Sequence, residues 1–147
     1  MAVADAIPVL DPAVAETLSL RFHRCWESFE ADDGLFADDA FFDLMPPFWR
    51  FQLEGGQAFV DQLRAVAEQH GALSVSVEML RTVPTATGFV TEHRETIDTE
   101  GGAFTARRVH VCEVRDGRIA AVTTYCNGGW DDELRARHAA EAPMLRP

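Results

Sequence analysis

Residues 106–131, ARRVHVCEVRDGRIAAVTTYCNGGWD, constrain the fold more than any other stretch of the chain. They read as two long strands joined by a tight turn at Arg115-Asp116-Gly117-Arg118. The Asp-Gly pair supplies the positive φ that a two-residue hairpin loop needs. Alternation places Arg108, His110 and Cys112 on one face of the first strand and Val109, Val111 and Glu113 on the other. After the turn, Val122, Thr124 and Cys126 share one face, and Thr123, Tyr125 and Asn127 the opposite one. A histidine on a half-polar face of an otherwise apolar hairpin marks a candidate site. The rest of the chain is expected to wrap around this hairpin and leave a pocket against it.

Residues 1–10 read as a loose arm. Asp11-Pro12 then opens a helix, with Asp11 as cap and Pro12 at the first helical position. Leu18, Phe22, Cys25, Trp26 and Phe29 recur every three or four residues, which gives that helix one apolar face ending near Glu30. Asp32 is expected to cap a short helical turn over Leu35, Phe36 and Ala37. Ala40 to Leu44 reads as a short strand ended by Pro46-Pro47, since prolines cannot donate to a ladder. Phe48 to Leu53 is aromatic and extended. Gln57 to Gln69 is a second amphipathic helix, closed by Gly71. Strands follow over residues 72–83 and 87–99, with a turn at Gly101-Gly102 before the opening hairpin. A last short helix starts at the cap Asp131 and leads into the tail, so that residues 131–147 form a helix and tail.

The fold class is therefore α+β in one domain over residues 1–147: a curved antiparallel sheet of about four long strands and a short one, with N-terminal helices over its concave face. A chain of 147 residues buries a core without disulfides or metals. The net charge of −11, with no lysine, excludes nucleic acid as a partner. Cys25, Cys112 and Cys126 show no ligand or redox spacing and read as buried thiols of a cytoplasmic protein. The N-terminus lacks a signal-peptide pattern, and no stretch has the length of a membrane span, so no membrane partner is expected. No phosphate loop, dinucleotide fingerprint or metal-ligand spacing is present, and no cofactor or metal is expected.

A helix, then FADDAFFD at residues 36–43, GGQAFVDQLR at 55–64 and strands ending in VRDGRIAAVTTY at 114–125 resemble the nuclear-transport-factor-2-like superfamily, and within it the SnoaL-like and ketosteroid-isomerase-like branch. The resemblance covers nearly the whole chain. It implies a cone-shaped cavity between sheet and helices and a homodimer through the outer sheet face. In ketosteroid isomerases the proton-shuttling Asp falls on Leu44 of this chain, one residue from Asp43, and the second oxyanion-hole acid falls on His110. In limonene-epoxide-hydrolase-like members the Asp–Arg–Asp set falls on His93, Glu95 and Thr124.

The candidate acid–base residues are His110, the pair His93 and Glu95, and Asp43. Histidine titrates near neutrality, and a carboxylate beside an imidazole raises its basicity. Asp43 faces the cavity only if the chain bulges before Pro46. Candidate substrate contacts are Trp26, Phe48, Trp49, Phe51, Tyr125, Asn127 and Trp130, with Phe48-Trp49-Arg50-Phe51 as a lid or wall. The expected activity is cofactor-independent isomerisation, cyclisation or dehydration of a hydrophobic small molecule of polyketide or related secondary metabolism. Epoxide-hydrolase-like water activation and a non-catalytic binding module of the same fold are the alternatives.

Overall fold

The computed structural model describes residues 6–142 and 144–146. The elements run α1 (Pro12–Ser28), β1 (Phe36–Met45), β2 (Phe51–Glu54), α2 (Gly56–Gln69), β3 (Ser74–Pro84), β4 (Gly88–Thr99), β5 (Gly102–Arg115), β6 (Arg118–Cys126) and α3 (Asp132–Glu141). The six strands form one curved, unclosed sheet in the order β2-β1-β6-β5-β4-β3. The α+β class and the two helices over the sheet agree with the sequence reading.

Local chemistry sets the elements. Asp11 accepts from the Ala13 amide at 2.8 Å and starts α1, and Phe29 in the left-handed region (φ 58°) stops it. Asp131 caps α3 by accepting from the Leu134 amide at 2.8 Å. The apolar stripe of α1 packs on the sheet together with α2, and Phe59 of α2 stacks on Phe42 of β1 with ring centroids 4.3 Å apart. Phe22, Phe42 and Phe59 are fully buried, and each contributes about 1.5–3 kcal/mol of transfer free energy.

Four expectations change. Phe36 and Ala37 belong to β1 rather than to a helical turn, because the Ile119 amide donates to the Leu35 carbonyl at 2.9 Å and draws the chain into the sheet. β1 pairs with β6 in parallel, so the sheet is not a simple antiparallel meander; its long return passes through α2 and β3 to β5. Only β2, from Phe51 onward, is extended after the prolines. The loose arm is partly outside the described residues (1–5), and at its other end the Leu10 amide donates to the Thr85 carbonyl at 2.9 Å, which ties residue 10 to the β3–β4 turn.

Register breaks bend the sheet. One lies between Met79 and Arg81 in β3. An extra residue re-aims the side chains beyond it, so Thr82 rather than Arg81 faces Thr91 and the helix α1. Gly88, at the start of β4, lies so close to β5 that a Cβ there would overlap the Cys112 carbonyl. Gly88→Ala is therefore expected to cost at least the ~1–3 kcal/mol of an overpacked core, read as a lowered urea midpoint. An unchanged midpoint would show that the two strands separate there without cost.

Candidate active site

The inward lattice of the sheet follows from its register. His110 stands opposite Thr91 on β4 and Thr124 on β6, and Arg108 stands opposite His93 and Cys126. The alternation seen in the hairpin therefore carries Arg108, His110, Thr124 and Cys126 to one face.

A chamber of about 170 Å³ lies between this face and the two helices. Trp26, Leu44, Phe51, Leu63 and Ile97 are among its apolar walls, and Glu95, Arg108 and Thr124 supply polar groups. Glu95 and Arg108 form an ion pair, with side chains only 7% and 15% exposed. The Arg108 guanidinium carbon lies 4.8 Å from the centre of the Trp26 ring, in cation–π position. Burial holds the Arg108 guanidinium below its ordinary pKa.

Behind Thr124 lies a cluster of buried histidines. His110 Nδ1 is 2.8 Å from Thr124 Oγ1, and His110 Nε2 is 3.1 Å from His93 Nδ1. His23 of α1 closes the group, with its ring 5.1 Å from that of His93. Burial lowers the pKa of His23 to about 4 and of His93 to about 2, the latter helped by the charge of Arg108; burial also takes His110 well below its ordinary value. All three rings are thus neutral at pH 7. Protons in the chain can run either way. With His93 donating to His110 and His110 to Thr124, the Thr124 hydroxyl is free to donate into the chamber. With the direction reversed, Thr124 presents an acceptor.

Of the residues singled out in the sequence, Trp26, Phe51 and Glu95 line the chamber. His110 and His93 do not: they are fully buried behind its floor. Glu95 does share a face with His93, but it pairs with Arg108 rather than with the imidazole. Asp43 faces outward. β1 and β2 pair in unbroken register from Phe41 to Leu44, so no bulge re-aims it, and the single-residue offset from Leu44 decides its side. There it receives a bidentate pair of hydrogen bonds from Arg50 at 2.8 and 2.6 Å, which hold its carboxyl below the usual pKa.

Phe48 and Trp49 do not line the chamber. The Trp49 amide donates to the Pro46 carbonyl at 3.2 Å, forming a turn with Phe48 at φ 61° that points Phe48 fully into solvent; Trp49 is also exposed. Tyr125 is half exposed on the outer sheet face. Asn127 accepts from the Arg107 amide at 2.8 Å, and Trp130 bridges Thr105 and packs against His138, all beside a separate depression that includes Arg94, Arg107 and Arg135. Cys112 is buried, and that burial pushes its thiol well up in pKa.

Two groups are only partly legible in the sequence or not at all. Arg94, Arg107 and Arg108 are expected to include a partner for Glu92, Glu95 or Glu113 in a surface or interface ion pair; Arg108 does pair with Glu95, but the pair is buried, for which its place on the His110 face was a usable signal. His23 sits on the apolar stripe of α1, where its spacing to Ser19 and Trp26 matches the helical period, but nothing local points it at two strands far along the chain.

No protein-family model matches this chain, and no curated protein sequence matches it. Solved structures do. An LEH-like epoxide hydrolase of Mycobacterium tuberculosis is 20% identical, with 90% of this chain and 98% of that chain covered at a TM-score of 0.61. An NTF2-like protein of Anabaena variabilis is 16% identical over 87% of this chain and 94% of its own, at 0.64. IdmH of Streptomyces antibioticus, described as a candidate polyketide cyclase, is 17% identical over 77% and 91%, at 0.61. With the element order and the curved six-stranded sheet, these likenesses establish that the chain has the nuclear-transport-factor-2-like fold.

Proposed function

We propose that the chain is a cofactor-independent acid–base enzyme acting on a compact, hydrophobic carbonyl compound. The observation that carries this reading is the Glu95–Arg108 pair, buried at the floor of an otherwise mainly apolar chamber. A carboxylate in that position takes a proton from the carbon beside the substrate carbonyl. Arg108 donates to the carbonyl oxygen, where negative charge develops as the proton leaves. Return of the same proton from Glu95 to a different carbon completes an isomerisation with no net change in protons. Thr124, held by His110, supplies a further hydrogen bond to the oxygen. The histidines hold Thr124 rather than carry the proton, which moves the acid–base role from His110 to Glu95.

The volume supports a compact substrate. About 170 Å³ only slightly exceeds the roughly 150 Å³ of a cavity that holds benzene. A single ring fits that volume.

A second reading, water activation for epoxide opening, is supported by the same carboxylate and by the likeness to an LEH-like epoxide hydrolase. A panel of monocyclic enones and epoxides separates the two. Turnover of enones, with proton exchange at the α-carbon, supports isomerisation; diol formation supports hydrolysis. Glu95→Gln keeps the shape and is expected to lower turnover by about 10²–10⁴-fold. Binding without turnover across the panel sinks the enzymatic assignment and leaves a binding module; full activity of Glu95→Gln removes Glu95 as the base.

We further propose a homodimer through the outer sheet face. Phe41, Val109, Val111 and Tyr125 are all exposed there, and the resemblance to nuclear-transport-factor-2-like proteins supports a second copy as the occupant. Light scattering is expected to give a dimer mass for the wild type and a monomer mass for Val111→Glu. A monomeric wild type overturns it.

A further inference from the structure

We propose that His23, His93 and His110 form a buried binding site for a divalent transition-metal ion, zinc in the first instance. The three residues come from α1, β4 and β5, and one ring nitrogen from each lies within 4.8 Å of the other two. Nitrogen–zinc bonds are about 2.0–2.1 Å long, so two ligands of a tetrahedral ion stand about 3.4 Å apart. His110 Nε2 and His93 Nδ1 are 3.1 Å apart, already close to one such edge. Loading takes the place of the proton between them, which moves to the outer nitrogen of its own ring, and draws the third nitrogen in by about an ångström.

Two features of the structure point to a missing ligand. His23 Nε2 and His93 Nε2 are buried polar atoms without a hydrogen-bond partner among the described residues. A buried, unpartnered nitrogen costs about 1–3 kcal/mol, and a bound ion relieves that cost for His23. Two of the three outer nitrogens have the supports typical of metal-bound imidazoles, and that of His93 has none among the described residues. His110 Nδ1 is held by Thr124 at 2.8 Å. His23 Nδ1 lies 3.4 Å from Ser19 Oγ, which is itself 2.7 Å from Thr82 and 2.9 Å from Thr91.

The ligand set selects the ion. Three imidazoles without a carboxylate suit zinc, copper, nickel or cobalt and not magnesium or calcium, which take oxygen. The nearest cation, Arg108, is compensated by Glu95. Phe22 and Trp26 pack edge-on or tilted against the rings and keep bulk water away. None of the three histidines lines the chamber. The ion is therefore structural: it ties α1 to the sheet and, through His110, fixes Thr124. Its presence does not depend on the proposed chemistry at Glu95.

The test uses the full chain, stripped with a chelator and then exposed separately to Zn²⁺ and Co²⁺. One Zn²⁺ per chain is expected to survive desalting and raise the melting temperature, and Co²⁺ is expected to give visible absorption bands that are lost on adding the chelator. His23→Leu is expected to weaken binding by more than roughly 100-fold, while His138→Ala, on the exposed helix α3, leaves it unchanged. Failure of the wild type to retain Zn²⁺, or a His23→Leu protein that binds as tightly, overturns the site. Should His23→Leu not fold, ring-nitrogen NMR of the wild type decides. Zn²⁺-dependent shifts of His23, His93 and His110 support the site; shifts confined to His70 and His138 overturn it.

Discussion

Arg108→Met is expected to lower stability by about 3–5 kcal/mol, because it leaves the Glu95 carboxylate buried without its counter-charge. Glu95→Leu is expected to cost a similar amount by stranding the guanidinium. The two costs do not add. Glu95→Leu/Arg108→Met replaces both charges with apolar groups of similar volume, and such replacements are often neutral or stabilising. The double variant is thus expected near wild-type stability and without activity. The measurement is a double-mutant cycle of urea midpoints with turnover recorded on each protein. If each single variant costs under about 1 kcal/mol, the pair behaves as a solvated surface bridge. The claim that Glu95 meets its substrate in a dry chamber then loses its basis. A stable, inactive double variant would mean that the charges are kept for chemistry and not for folding.

In chelator-treated protein, stability is expected to fall steeply as the pH drops below about 6.5. Burial depresses the folded-state pKa of His23 to about 4, of His93 to about 2 and of His110 well below its ordinary value. The unfolded chain titrates near the ordinary value of about 6.5, so it takes up protons that the folded chain refuses. The stabilisation is complete above about pH 6.5 and is lost as pH falls toward the folded-state values. At about pH 5.5 each ring costs on the order of 1 kcal/mol, and the three together several kcal/mol. That is a large share of the ~5–15 kcal/mol of a typical domain. His23→Leu removes one ring and is expected to reduce the loss by about a third. Asp43 acts in a different window: its carboxyl is held low by Arg50, so its contribution is lost only as pH falls below about 4. Urea midpoints that stay level between pH 7.5 and 5.5 would show that the rings are hydrated and not buried as a dry cluster.

Much of the fold was legible because it rests on local periodicity. The Asp-Gly turn, the Asp11 and Asp131 caps and the stripe Leu18, Phe22, Cys25 and Trp26 are short-range signals, and the structure keeps each of them. The helical turn read at residues 35–37 failed because a distant strand, β6, competed for Leu35 and Phe36. Propensity does not register a partner more than 80 residues away.

The sequence alone settled which residues share a face. Alternation put Arg108 with His110 and Thr124 with Cys126, and the sheet preserves that grouping because side chains of a pleated strand point alternately to its two faces. It could not settle what each face meets. Register between distant strands brought Glu95 to Arg108 and His93 to His110, while β1 sent Asp43 outward by one residue. The packing of α1 across the sheet then placed Trp26 over Arg108 and His23 against His93. These are long-range contacts set by closing the core, and no spacing along the chain encodes them. The hairpin was therefore readable as the floor of a site, whereas the Glu95–Arg108 pair and the histidine cluster behind it exist only in the tertiary structure.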